Sequence, residues 1–191
     1  MLRIAITGNI ASGKSTVEKA LQTSGYVVLD TDKVCHNLLC CDEVKEAFKD
    51  LDIFDNGEIS RDKFGKFVFA NSELKQKLES ILYPMLKIKI AEFFEQYSSE
   101  TLVFVAIPLL FEAGMQDLFD KIVFVYCDDE IRLERLIARN NYSKEYAKTR
   151  MAAQESQDLK AKKSDYVIYN NASIIELDKQ VDSVVAELLS L

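Results

Sequence analysis

The segment Gly8-Asn9-Ile10-Ala11-Ser12-Gly13-Lys14-Ser15-Thr16 constrains this chain more than any other stretch. It fits the spacing glycine, four residues, glycine, lysine, then serine or threonine. An apolar run, Leu2 to Thr7, precedes it, and helical spacing through Val17, Ala20 and Leu21 follows. A strand, a glycine-bearing loop and a helix in that order form a phosphate cradle. Glycines let main-chain N–H groups turn inward, and the opening of the helix adds partial positive charge. Gly8, Ala11, Ser12, Gly13, Lys14, Ser15 and Thr16 are therefore candidate nucleotide-binding residues. Lys14 suits the β- and γ-phosphate oxygens, and the Ser15 hydroxyl suits Mg²⁺. The loop leaves open what accepts a phosphate, because switches, motors and small-molecule kinases all use it.

The flanking pattern extends to a βαβ unit. Gly25 suits the residue just past the first helix, and Tyr26 to Leu29 reads as a second strand ending at Asp30-Thr31-Asp32. From Lys33 to about Ser98 the signal is helical and interrupts the strand–helix alternation, as an inserted helical substrate region would. Ser60 is a plausible cap for Arg61 to Ala70. Asn71 or Ser72 would cap a helix ending near Tyr83, with Pro84 opening the next. Thr101 to Ile107 and Lys121 to Cys127 are near-continuous apolar runs, as expected of strands covered on both faces. Asp128 can cap the helix bearing Arg132, Arg135 and Arg139, and Ser143 starts another reaching about Gln154. Tyr166 to Tyr169 is a last strand, and Ser173 with Glu176 forms a capping-box pattern. The expected fold is a doubly wound three-layer α/β/α sandwich on a parallel sheet.

Composition limits the setting. A chain of 191 residues predicts one domain able to bury about 70% of its unfolded surface. The net charge of −7 argues against non-specific nucleic-acid or membrane binding, which needs a broad basic surface. No apolar run approaches a membrane span, and Met1-Leu2-Arg3 enters a strand at once without signal-peptide layout. Cys35, Cys40, Cys41 and Cys127 follow no metal-site spacing, so reduced thiols and a cytoplasmic location are expected.

Asp30-Thr31-Asp32 should open at the carboxyl edge of the sheet beside the phosphate loop. Asp32 is the candidate for orienting an acceptor hydroxyl and taking its proton. Asp30 either supports it, reaches a metal-bound water, or caps the helix that follows. Among the arginines, Arg132 and Arg135 alternate with Glu130 and Glu134 and read as a solvated, ion-paired face. Arg139, at the helix end before Asn140-Asn141-Tyr142-Ser143, is the candidate for meeting transferred phosphate from a closing lid.

Together these residues make the chain resemble the dephospho-CoA kinase family along nearly its whole length. The resemblance runs through the phosphate loop and Asp30-Thr31-Asp32 with His36, then Asn56-Gly57, Arg61 and Phe64-Gly65. It continues through Leu78-Glu79, Leu82-Tyr83-Pro84, Pro108-Leu109-Leu110-Phe111-Glu112, Arg132-Leu133-Glu134-Arg135, Arg139, Gln154, Asp165, Ile168 and Asn170. It implies the P-loop NTPase fold and ATP-dependent phosphorylation of the ribose 3′-hydroxyl of dephospho-CoA, with Mg²⁺. It implies a single domain over 1–191, with a nucleotide-binding core at 1–59, 100–137 and 156–191. A helical CoA-binding region would cover 60–99 and a lid 138–155. Asp32, Lys14 and Arg139 would be catalytic, with Asp32, His36 and Arg61 on the acceptor side, in a monomer or weak homo-oligomer. Two positions depart from the family pattern. Tyr83 stands where histidine is common, and Ala106 stands where many members carry an acid, leaving no second metal ligand to assign.

Shikimate and nucleoside monophosphate kinases share the loop, an early aspartate and a lid, but the long helical insertion and Pro108 to Glu112 speak against them. A guanine-reading switch would want Asn-Lys-x-Asp, which the sequence lacks.

Overall fold

The computed structural model describes residues 1–55 and 57–191, and the side chains of all of these except Arg61 and Phe69. Its centre is a five-stranded parallel sheet in the order β2-β5-β1-β6-β7. The strands are β1 (Leu2–Gly8), β2 (Val27–Asp30), β5 (Leu102–Ala106), β6 (Lys121–Tyr126) and β7 (Tyr166–Tyr169). Parallel neighbours need crossover connections, and helices on the faces supply them. Val17 and Leu21 of α1 (Lys14–Thr23) and Leu177, Val181, Val185 and Leu188 of α9 (Ile174–Leu189) pack with Ile4, Ile6, Phe104 and Val125. The alternate strand residues Ala5, Val103, Val105 and Phe124 are buried as well. Burial on both faces is why these strands lack the polar–apolar alternation of a half-exposed sheet.

Local signals set the ends of several elements. After α1 the N–H of Gly25 bonds Gln22 O and that of Tyr26 bonds Leu21 O, while Gly25 has φ 88°. This left-handed stop turns the chain into β2. Ser173 accepts from Glu176 N and the Glu176 carboxylate reaches back, so the capping box opening α9 is complete. Asn71, not Ser72, caps the long helix, its Oδ1 accepting from Glu73 N at 2.9 Å and Leu74 N at 3.2 Å.

The chain divides into two compact units, Met1–Asp30 with Phe94–Leu191, and Thr31–Phe93. The sequence reading counts 31–59 with the nucleotide-binding core, whereas here that segment lies in the second unit. This unit holds α2 (Thr31–Leu38), α3 (Asp42–Ala47), α4 (Arg61–Ala70) and most of α5 (Ser72–Gln96). Its own core includes Val44, Phe48, Ile53 and Phe64, with the Phe48 and Phe64 rings edge-to-face at 4.9 Å. A short antiparallel hairpin, β3 (Phe54–Asp55) and β4 (Glu58–Ile59), also belongs to it, although the sequence reading expects only helix there. Asn56 of the Asn56-Gly57 pair lies outside the described residues, and Gly57 has φ 83°.

One further expectation changes. Pro84 does not open a new helix; it lies inside the continuous α5. Proline removes one N–H from the ladder, and the remaining bonds of 25 residues carry the helix through. The segment after the expected lid forms another short helix, α8 (Gln157–Lys162), beyond α6 (Asp129–Asn140) and α7 (Lys144–Ala152). No described helix is long and apolar enough to cross a membrane.

Candidate active site

The phosphate loop leaves the carboxyl end of β1 and enters α1. Gly8 still pairs with Val125 of β6, and a Cβ there would lie 2.5 Å from Ser12 Oγ and 2.8 Å from Val125 O. Ala11 and Gly13 adopt positive φ, 62° and 94°. A Cβ on Gly13 would collide with the Asn170 side-chain amide, so glycine is required twice over. The N–H of Ile10 is taken by Gln154 Oε1 at 2.7 Å, and that of Ser12 by Asn9 O at 3.0 Å. Lys14 and Ser15 open α1, where N–H groups have no acceptor within the helix. No side chain caps this end and its first turn holds no acid. Ser12 Oγ is buried without a hydrogen-bond partner. Glycine cradle, uncapped helix start and orphaned hydroxyl all suit an anion.

Around the loop stands a ring of supports from distant sequence. Arg132, 3% exposed, donates from Nε to Ile10 O at 3.0 Å and from Nη1 to Asp129 Oδ1 at 2.8 Å. Asn170 Nδ2 donates to Ser12 O at 2.8 Å, and Asn9 Nδ2 to Glu155 O at 2.9 Å. Lys160, fully buried, donates to Asn9 Oδ1 at 2.9 Å and to Glu112 Oε1 at 2.6 Å. A buried ammonium needs such partners, because desolvation without them costs several kcal/mol, roughly, per ion. The loop is thus held by α6, the 154–155 segment, α8 and the residue after β7.

Charge in the neighbourhood follows burial. Lys14 Nζ pairs with Glu18 Oε1 at 2.5 Å, with only 13% and 9% of the two side chains exposed. Burial pushes the Arg132 guanidinium below its ordinary value, opposed by Asp129. Burial likewise pushes the Cys127 thiol up, opposed by Arg135 and Arg132, and Arg135 Nη1 lies 3.4 Å from its sulfur. Cys127, fully buried, is a packed thiol. A cavity of about 870 Å³ lies beside the loop, with Asn9, Arg132, Lys144, Lys148, Gln154 and Gln157 among its lining residues.

The structure gathers Gly8, Ala11, Ser12, Gly13, Lys14, Ser15 and Thr16 into this one loop. Ser15 is exposed in the first turn of α1. Arg139 lies exposed in the last turn of α6, its Nε donating to Asn140 Oδ1 at 2.9 Å. Asp30 ends β2 in register with Ala106 of β5. Asp32 and His36 lie in the first and last turns of α2 within the second unit, both exposed. Between them, burial pushes the Cys35 thiol up to about 11, with Asp32 adding to the effect. Arg61 begins α4, and its side chain lies outside the described residues.

Arg132 is no solvated surface residue; it is buried against the loop and pairs with Asp129, not with the neighbouring glutamates. Lys160 carried no sequence signal, because its partners Asn9 and Glu112 are 151 and 48 residues away. Glu18 did carry one, being four residues after Lys14 on the same helix.

A phosphate loop after the first strand of an all-parallel, helix-flanked sheet defines the P-loop class of α/β fold. A shikimate kinase from Bacteroides thetaiotaomicron shares this fold, with TM-score 0.57 at 17% identity over 100% of this chain and 99% of that one. A dephospho-CoA kinase structure from Campylobacter jejuni is nearer, with TM-score 0.76 and 30% identity over 98% and 97% of the two chains. A Thermus thermophilus structure, TT1252, reaches 0.84 and 33% over the same shares. The dephospho-CoA kinase of Listeria monocytogenes is 37% identical over 93% of this chain and 92% of its own. The Dephospho-CoA kinase family model matches residues 2–176. The chain belongs to the dephospho-CoA kinase family, and it is an enzyme.

Proposed function

We propose that the chain transfers the terminal phosphoryl group of ATP to the ribose 3′-hydroxyl of dephospho-CoA, giving coenzyme A in the final step of its synthesis. The observation that carries this reading is the braced loop Gly8 to Thr16, with Lys14 and an uncapped helix start, in a chain of this family. In this reading the N–H groups opening α1 and the Lys14 ammonium bind the donor's phosphates. Asp32, two residues beyond β2, holds the acceptor hydroxyl and receives its proton. Arg139, from a lid covering 138–155, meets the charge that spreads over the transferred group. His36 and Arg61 contact the acceptor, with the helical segment 60–99 forming its binding region.

The donor set bears on the metal. No cluster of three or more His, Cys, Asp or Glu suited to a metal occurs among the described residues. One exposed hydroxyl, Ser15, at the helix start fits an ion carried mainly by nucleotide and water, which is how Mg²⁺ commonly binds. Bound there, Mg²⁺ would supply charge neutralisation at the phosphate oxygens.

The test offers ATP and Mg²⁺ with dephospho-CoA, shikimate and nucleoside monophosphates in parallel, reading phosphate gain by mass spectrometry. Dephospho-CoA alone should gain mass. Turnover of either other acceptor in preference to it would replace this reading.

A further inference from the structure

The ion pair Lys14–Glu18 joins the one cation of the phosphate loop to a carboxylate on its own helix. Both side chains are nearly withdrawn from water, at 13% and 9% exposure, and the contact is 2.5 Å. The arrangement is not a default of helix chemistry. Lysine four residues before glutamate is the weaker orientation of such a pair. A lysine at a helix start also faces the positive end of the dipole. Glu18 therefore offsets a charge that the fold places unfavourably, and it does so at the atom that a polyphosphate must engage.

We propose that Glu18 sets the nucleotide affinity of the loop by competing with phosphate for Lys14. The inference rests on the reading of the loop as the ATP phosphate site. An incoming β- or γ-phosphate meets an ammonium already neutralised by a buried carboxylate, and it also meets that carboxylate's repulsion. Both effects weaken binding relative to the same loop with a neutral residue at position 18. Both reach only phosphates that contact Lys14, so the α-phosphate and the nucleoside feel little of them. Glu18 is thus a positioning residue that acts through Lys14.

Titration calorimetry on Glu18→Gln, Lys14→Ala and the double variant, with ATP and with AMP, tests this. Glu18→Gln keeps the side-chain shape and an acceptor for Lys14. It should bind ATP roughly tenfold more tightly, about 1.4 kcal/mol, with AMP unchanged. In the Lys14→Ala background the same substitution should alter ATP affinity much less, the sign of coupling in a double-mutant cycle. Glu18→Ala should move ATP affinity in the same direction, so the result does not hang on one variant. A structural role alone gives lower thermal stability without tighter ATP binding, and that outcome overturns the proposal. So does unchanged or weaker ATP binding by both variants, or equal tightening in the two backgrounds. If Lys14→Ala itself binds ATP like the unaltered protein, the phosphate-site reading fails instead, which is a separate result.

Discussion

At the scale of single residues, the proposed chemistry divides between groups fixed by the loop and groups carried by the second unit. Lys14 belongs to the first kind, and Asp32, exposed in the first turn of α2, to the second. Asp32→Asn keeps the shape of the side chain but cannot take a proton. It should bind ATP normally and lose about 10²–10⁴ in turnover, the usual worth of general-base assistance. Calorimetry and steady-state rates on one preparation check both halves, and undiminished turnover would remove Asp32 from its role. Gly8, Gly13, Lys14 and Ser15 were readable in advance because their spacing is local, each with its own backbone or charge requirement within one short segment. Arg132, Lys160 and Asn9 were not readable in the same way. Arg132 reaches Ile10 from 122 residues away, and a buried lysine looks like any surface lysine until the fold brings Glu112 and Asn9 to it.

At the scale of elements, strands and caps were legible where a local rule governs them. Gly25 stops α1, Ser173 and Glu176 start α9, and the apolar runs became the inner strands. Reading failed where a local rule was overridden or overlooked. Pro84 is absorbed by α5, and the hairpin at Phe54 to Ile59 was missed despite the Asn-Gly pair, a strong hairpin signal in itself. One tie between elements yields a pH prediction. Arg3, near the start of β1, grips Asp120, just before β6, through Nε at 3.0 Å and Nη2 at 2.6 Å, and its N–H adds a third bond at 2.8 Å. The Arg3 guanidinium beside it holds the Asp120 carboxyl below its ordinary value. A carboxylate depressed by folding contributes stability above its unfolded pKa, and that contribution is lost as pH falls through the folded one. Asp120→Asn should therefore cost about 1 kcal/mol at neutral pH. The difference from the unaltered protein should shrink to nothing in acid below the usual carboxylate range. Urea unfolding across pH reads it, and a gap that persists in acid would assign the effect to packing instead.

At the scale of the whole molecule, a ligand bound only by the folded chain must stabilise it. Saturating ATP and Mg²⁺ should raise the melting temperature, by about 2.7 kcal/mol of added stability at a hundredfold excess over Kd. Lys14→Ala should lose most of that gain. The variant should also melt earlier without ligand, since Glu18 is left buried without its ammonium. Thermal scans of both proteins with and without nucleotide measure the two effects together.

The position of β1 in the sheet has a further consequence, for biosynthesis. Strand β1 leaves the ribosome before both of its partners, β5 and β6, and the register of Leu2 with Leu102 separates the partners by a hundred residues. At about 5–20 residues per second, that strand waits roughly 5–20 s for a neighbour. Throughout that interval the seven residues of β1, apolar apart from Arg3 and Thr7, have no strand beside them on either edge.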